Sequence, residues 1–327
     1  MAKPRSVDAK LNRLRVIRKE ELTPALIAEL RGLLADKSNF VVGEAAEIVG
    51  ERMLAELAPE LVAAFQRFMV DPVETDKICR AKIAIVDALN KFEYDREEVF
   101  RTAIGHVQME PRWGGSDDTA APLRAAAVFA LVRVGPRDLM ILLSDLLADA
   151  EKVARAAAAK ALGATGMQAA IPLLRLKARV GDPESEVIAE CLAALVAADP
   201  NTAIPFVGQF LGSENEEIAE GAALAIAESR RPEGLEVLKK QLPRTEPGSL
   251  QNVLLLAIAI TRLPAGVDFL LEVLAGEDSE TAAGALQALA IHRHNPAVRE
   301  RIAAVVAKTG NAALRLQFNK GFREAGT

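Results

Sequence analysis

Apolar residues recur along this chain at offsets of 0, +4, +5 and +8 inside short windows, and the windows themselves repeat. The clearest window is Leu123, Ala127, Val128 and Leu131, followed by Gly135, and it returns as Ala154, Ala158, Ala159 and Leu162, followed by Gly166. Further copies end on Leu195, Ile226, Ile260, Leu289 and Phe322, the last closing at Gly326, so successive end anchors lie 31, 33, 31, 34, 29 and 33 residues apart. Two looser copies precede them: Phe40, Glu44, Ala45, Ile48; and Ala81, Ile85, Val86, Leu89. Those offsets share one face of an α-helix. A period near 32 residues holds two short helices and two turns.

Between these windows lie partner segments of the same period, such as Leu139–Leu147 and Phe269–Leu274. Pro172 and Pro205 are expected in the first turns of such partner helices, where a missing N–H is harmless. Turns such as Gly181-Asp182-Pro183 and Gly276-Glu277-Asp278-Ser279 separate the helices, with Asp182, Ser213 and Ser279 as candidate N-caps. No alternating strand pattern competes. A lone amphipathic hairpin cannot bury its apolar face, whereas a stack of them can.

The second-helix pattern, Leu/Val-Arg-x-x-Ala-Ala/Val-x-x-Leu, resembles the bacterial HEAT repeat and is similar to the HEAT-like repeats of phycobilin lyases. The resemblance covers roughly residues 22–326. It implies an all-α fold: an α-solenoid of about nine antiparallel helical hairpins in a HEAT-type superhelix. The arginine typical of the motif stands at Arg124, Arg155 and Arg315 and is replaced by Ile188, Ala219, Val253 and Ala282 elsewhere. The expected organisation is a basic N-terminal capping helix over 1–21 and one continuous solenoid over 22–327. An insertion at about 110–121 is expected, because the step from Leu89 to Leu131 is about ten residues longer than the others.

Composition supports this reading: half the residues are hydrophobic but only 4% are aromatic, so Ala, Leu, Val and Ile carry the core. The net charge of −5 disfavours a general nucleic-acid binder, which needs a basic footprint. Two cysteines suggest neither a disulfide framework nor a metal cluster and fit a reducing, cytoplasmic setting. No apolar run approaches membrane-spanning length and no secretory signal is read. The N-terminal segment, with Lys3, Arg5, Lys10, Arg13, Arg15, Arg18 and Lys19, predicts an amphipathic helix over Val7–Lys19 that caps the first repeat. Contact with an acidic partner or with a membrane surface is the alternative role for it.

Charge is uneven among the second helices. Early ones carry Lys77, Arg80, Lys82, Arg124, Arg133, Arg155 and Lys160; the next two carry Glu184, Glu186, Glu190, Glu216, Glu217, Glu220 and Glu228. In HEAT-type proteins second helices line the concave face, so the resemblance implies a groove running from basic to acidic. The insertion holds the chain's one tryptophan, Trp113, beside Arg112, with Asp117 and Asp118 nearby. It reads either as a binding anchor or as a lid folded over the apolar groove. Binding candidates are therefore Arg112, Trp113, Asp117, Asp118, Lys77, Arg80, Arg124, Arg133 and Arg155.

Catalytic chemistry finds no foothold. Cys191 sits at a buried +4 position, and Cys79 has no histidine paired with it in sequence. His292 and His294, two residues apart, fit a helix C-terminus where cations are favourable; His106 near Asp117 and Asp118 has no recognised ligand spacing. No histidine is followed by glutamate, so the His-Glu pairs of the HEAT-like di-iron hydroxylases are missing. The expectation is a non-enzymatic scaffold that binds a protein or peptide on its concave face, with no cofactor, no metal and no nucleic acid. The alternatives are a bilin lyase or chaperone-like enzyme, and a nucleic-acid-binding HEAT protein.

Overall fold

The computed structural model of the chain describes residues 6–276 and 278–322. Lys3, Arg5, Glu277 and Gly326, singled out in the sequence, lie outside the described residues. Among the described residues the chain is all-α apart from one short hairpin, and it divides into two compact units, Met1–Ala161 and Leu162–Thr327.

Unit 1 runs through α1 (Val7–Ile17), α2 (Pro24–Leu34), α3 (Asn39–Glu51), α4 (Ala58–Phe68), α5 (Pro72–Thr75), α6 (Arg80–Lys91) and α7 (Glu98–Ile104). The strands β1 (Met109–Arg112) and β2 (Gly115–Asp118) follow, then α8 (Ala121–Val134), α9 (Leu139–Leu147) and the start of α10 (Lys152–Ala164). Helices pair as α2/α3, α4/α6 and α7/α8, and the second members α3, α6 and α8 pack in series. Close approach needs small residues here: a Cβ on Gly50 of α3 would lie 2.9 Å from Ala88 Cα of α6.

Helix α1 lies on α3 with Leu14 and Ile17 buried. Its cations face acids of the first hairpin: Lys10 pairs with Asp36 (2.5 Å), Arg13 with Glu29 (2.7 Å) and Arg18 with Glu44 (2.9 Å).

Unit 2 contains α11 (Ala170–Val180), α12 (Ser185–Ala198), α13 (Pro200–Val207), α14 (Glu216–Glu228) and α15 (Pro232–Gln241). It continues through α16 (Ser249–Ile260), α17 (Pro264–Leu274), α18 (Ser279–Leu289), α19 (Pro296–Thr309) and α20 (Ala312–Gly321). Each odd-numbered helix packs on the even-numbered helix after it, and α12, α14, α16, α18 and α20 pack in series. In α12 the offsets read from sequence are the buried positions, with Val187, Cys191, Leu192 and Leu195 all 0–1% exposed, whereas in α16 Asn252 is exposed and Leu254, Leu255 and Ile258 are buried instead.

Local details depart from the sequence reading. Pro200, not Pro205, opens α13; Pro205 lies inside it, where it cannot donate to the carbonyl four residues back, and the chain then tightens into a 3-10 turn over Gly208–Gly212. The caps of α14 and α18 are Asn215 and Asp278, whose side chains accept from Ile218 N–H and from Glu280 and Thr281 N–H. Asp182 and Ser213 instead brace the turns just before helices, accepting from Glu184 N–H and Asn215 N–H.

Candidate functional site

The stretch 109–118 forms an antiparallel hairpin pairing Met109 with Asp118 and Arg112 with Gly115. The sequence reading placed no strand there, because Met-Glu-Pro-Arg and Gly-Ser-Asp-Asp show no apolar alternation. What makes the hairpin is its two-residue turn, Trp113-Gly114, in which Gly114 takes φ +84°, open to glycine at little cost. Trp113 stands at the tip, 101% exposed, so it is not folded back over a groove. Arg112 pairs across the strands with Asp117 at 3.0 Å; both are exposed, so the pair adds little stability.

The root of the hairpin is fixed by buried polar groups. Lys82 of α6 and Asp76 are fully buried, with Nζ 3.5 Å from Oδ2. Lys82 Nζ also donates to Gln108 Oε1 (2.8 Å) and to the Phe68 carbonyl (3.2 Å). Gln108 Nε2 in turn donates to the Asp76 carbonyl (2.9 Å) and to Glu110 Oε1 (2.7 Å). That Glu110 oxygen accepts as well from the Thr119 hydroxyl (2.7 Å) and the Ile78 N–H (2.6 Å). Burial pushes Glu110 up, but the hydrogen bonds from Thr119, Gln108 and Ile78 outweigh it and hold the carboxyl below its ordinary range.

The loop entering α6 is strained. Ile78 and Cys79 both take positive φ, +55° and +53°, and for a β-branched side chain such as Ile78 this conformation is costly. The Asp76 carboxylate steadies the loop by accepting from Ala81 N–H (2.9 Å) and Lys82 N–H (3.0 Å). The outcome is an isoleucine held outward, 58% exposed, next to the hairpin, where Val107 and Met109 are also exposed. Beside the root opens a cleft of about 260 Å³ lined by Ile104, Val107, Leu142 and Leu146, with Arg124, Asp145 and Asp149 at its border.

Three of the basic residues obey one spacing. Lys82, Arg124 and Arg155 each follow a first apolar anchor by one residue, and each contacts an aspartate six residues earlier. Lys82 meets Asp76; Arg124 pairs with Asp118 at 2.7 Å; Arg155 donates to the Asp149 carbonyl at 3.0 Å. Arg124 also pairs with Asp149 (2.8 Å) and donates to the His106 carbonyl (2.8 Å). Residues 116–178 match the family described as HEAT repeats.

Those residues are HEAT repeats. No curated protein matches the chain by sequence. Among solved structures, the CpcE–CpcF complex of phycocyanin lyase from Nostoc sp. PCC7120 is similar at 20% identity and TM-score 0.36, over 89% of this chain and 94% of that one. Human deoxyhypusine hydroxylase is similar at 17% identity and TM-score 0.33, over 79% and 91%. Kap121p is similar at 15% identity and TM-score 0.48, over 96% of this chain but 43% of that protein.

Within the HEAT framework, several residues expected on a binding face serve the fold instead. Arg124 and Arg155 are 3% and 7% exposed, with their guanidinium groups turned to the loops between helices, and Asp118 is part of that arrangement. Asp118 also accepts from Gln108 N–H and Ala120 N–H, which together with Arg124 overcome its burial and lower its pKa. Arg133 is exposed and donates to Asn90 and to the Tyr94 carbonyl (2.7 Å). Arg80 lies over the Phe40 ring at 5.0 Å, and Lys77 is exposed close to Glu110. Arg112, Trp113 and Asp117 are the members of the expected set gathered at one exposed tip.

The nucleophile candidates are poorly suited to reaction. Burial pushes the Cys79 and Cys191 thiols up to about 12, leaving the inert thiol form at neutral pH. Burial also lowers His106, whose Nε2 lies 3.1 Å from Gln108 Oε1. His292 is half-buried, and burial and the nearby Arg262 lower its pKa, which disfavours the cation expected at that helix end. Among the described residues no helix is long and apolar enough to cross a membrane.

Proposed function

We propose that this HEAT-repeat protein is a non-enzymatic scaffold that captures a protein partner through the hairpin of unit 1, with Trp113 as the anchor. The observation that carries this reading is the contrast between tip and root. A tryptophan stands wholly in solvent, on a strand pair whose base is tied into the interior by Lys82, Gln108 and Glu110. Exposing a large aromatic side chain to water is unfavourable, and a fold that only needed a short connection would not present one on a braced arm. A preformed aromatic anchor loses little entropy on binding, which is how such residues come to dominate interfaces. Ile78, Val107 and Met109 extend the apolar surface, and the neighbouring cleft can receive a partner's side chain. Two free, buried thiols suit a cytoplasmic setting.

The test is an affinity capture from source-cell lysate with the wild-type protein and Trp113→Ala side by side, read by mass spectrometry. A protein retained by the first and lost by the second supports the reading. Identical capture by both removes Trp113 from the interface.

A further inference from the structure

In unit 2 the second helices from α12 to α18 hold no lysine or arginine. Of these four, α12, α14 and α18 contain glutamates and α16 contains none, whereas α20 holds Arg315 and Lys320. The first helices of the same unit mix the signs, with Arg175, Lys177, Arg179, Lys239, Lys240 and Arg301 beside Glu233, Glu236, Asp268 and Glu272. Soluble surfaces normally intersperse the two signs, so four successive second helices without a cation call for an explanation. Helix dipoles supply only part of one. Glu186, Glu216, Glu217 and Glu280 lie in first turns, where a carboxylate is favoured. Glu220 lies deeper in α14, and Glu228 ends it, where the dipole opposes a negative charge.

These carboxylates meet neutral donors. Glu216 accepts from the Leu250 N–H (2.9 Å), Glu220 from the Ser249 hydroxyl (2.7 Å) and Glu217 from the Ser185 hydroxyl. Their charge is thus held in place without being cancelled. Next to Ser249, between α16 and α18, lies a cleft of about 360 Å³ with an apolar floor of Val253, Leu256 and Ala288. Gly284 contributes no side chain to it; a Cβ there would lie 2.6 Å from Asn252 Oδ1. At the edge stand Asn252 and Gln287, both exposed, and among the described residues neither amide has a hydrogen-bond partner.

We infer that this cleft, with its acidic border, is a docking groove for an extended, basic segment of a partner protein. Each free amide offers a donor and an acceptor, the combination that a peptide main chain requires. The apolar floor takes a side chain, and the glutamates of α14 take lysines or arginines on the Ser249 side of it. Nucleic acid and anionic membrane are repelled by the same charges. This groove is separate from the Trp113 hairpin and shares with that reading only the premise of a protein partner.

The experiment is fluorescence anisotropy of a short labelled peptide of alternating leucine and arginine, with a leucine–glutamate peptide as control. Titrations use the full chain, Glu217→Lys/Glu220→Lys, Asn252→Ala/Gln287→Ala, and Trp113→Ala, each checked for unchanged helicity. The wild type should bind the arginine peptide at least about ten-fold more tightly than the control, and less tightly as salt rises. Both unit 2 variants should weaken that binding by about ten-fold, while Trp113→Ala leaves it unchanged. The amide variant alters only exposed side chains, so it remains informative should the charge reversal unfold unit 2. Equal binding of the two peptides overturns the proposal, and so does arginine-peptide binding that survives in the folded variants. Loss on Trp113→Ala alone would move the site to the hairpin and equally refute this groove.

Discussion

Lys82 Nζ lies 2.8 Å from Gln108 Oε1, and both side chains are buried, so a charged group of α6 is bonded to the residue from which the hairpin springs. Removing one member of a buried ion pair strands the other. Lys82→Met should therefore destabilise the protein by about 3–5 kcal/mol, because Asp76 is left buried without its partner. Gln108→Ala should cost about 1–3 kcal/mol through unsatisfied partners. Urea unfolding followed by far-UV circular dichroism gives both numbers; a loss well below 1 kcal/mol for Lys82→Met would show that the network does not hold the structure.

Glu110 supplies a pH dependence. Its carboxyl is lowered in the folded protein, so its contribution is present above the unfolded value of about 4.3 and is lost as pH falls through the folded value. The stability gap between wild type and Glu110→Gln should be constant above about pH 5 and should shrink below about pH 4. Denaturation midpoints across that range provide the check. A gap that stays the same down to pH 3 would mean that the carboxylate is not what these donors recognise.

Ile78 is the strained residue of the site. Glycine at this position escapes the left-handed penalty of about 1–2 kcal/mol but adds unfolded-chain entropy. Ile78→Gly should thus change stability by about +1 kcal/mol at most in the stabilising direction, while weakening partner capture by removing an exposed apolar side chain. Destabilisation beyond about 2 kcal/mol would show that Ile78 contributes to the fold rather than to display.

The thiols should be silent. With Cys79 and Cys191 buried and raised to about 12, a disulfide reagent at pH 8 should label neither in the native protein and both after denaturation. Fast native labelling at either cysteine would place that side chain in a more open setting.

The repeat was readable because its signal is local and reiterated: a 0, +4, +5, +8 stripe recurs, and burial follows it in α12, though in α16 it shifts to Leu254, Leu255 and Ile258. The hairpin was not, since its strands are held by a turn glycine and by side chains from α6 rather than by alternating hydrophobicity. The burial of Arg124 and Arg155 was hidden for a related reason. As isolated cations on helices they look like surface charge, and only their partners six residues earlier, Asp118 and Asp149, reveal an inward direction. Lys82 follows Asp76 by the same interval, so an aspartate six residues before a basic +1 position was the signal available. Gln108, lone and polar between Val107 and Met109, left no comparable trace.

The central claim is that Trp113 contacts a partner, and site-specific photo-cross-linking tests it most directly. A benzophenone amino acid replaces Trp113 in source cells and, as a control, replaces Val180, which is also exposed but lies in unit 2. The account expects a discrete, light-dependent adduct from position 113 and none from 180. No adduct at 113, or the same adducts from both positions, would contradict it.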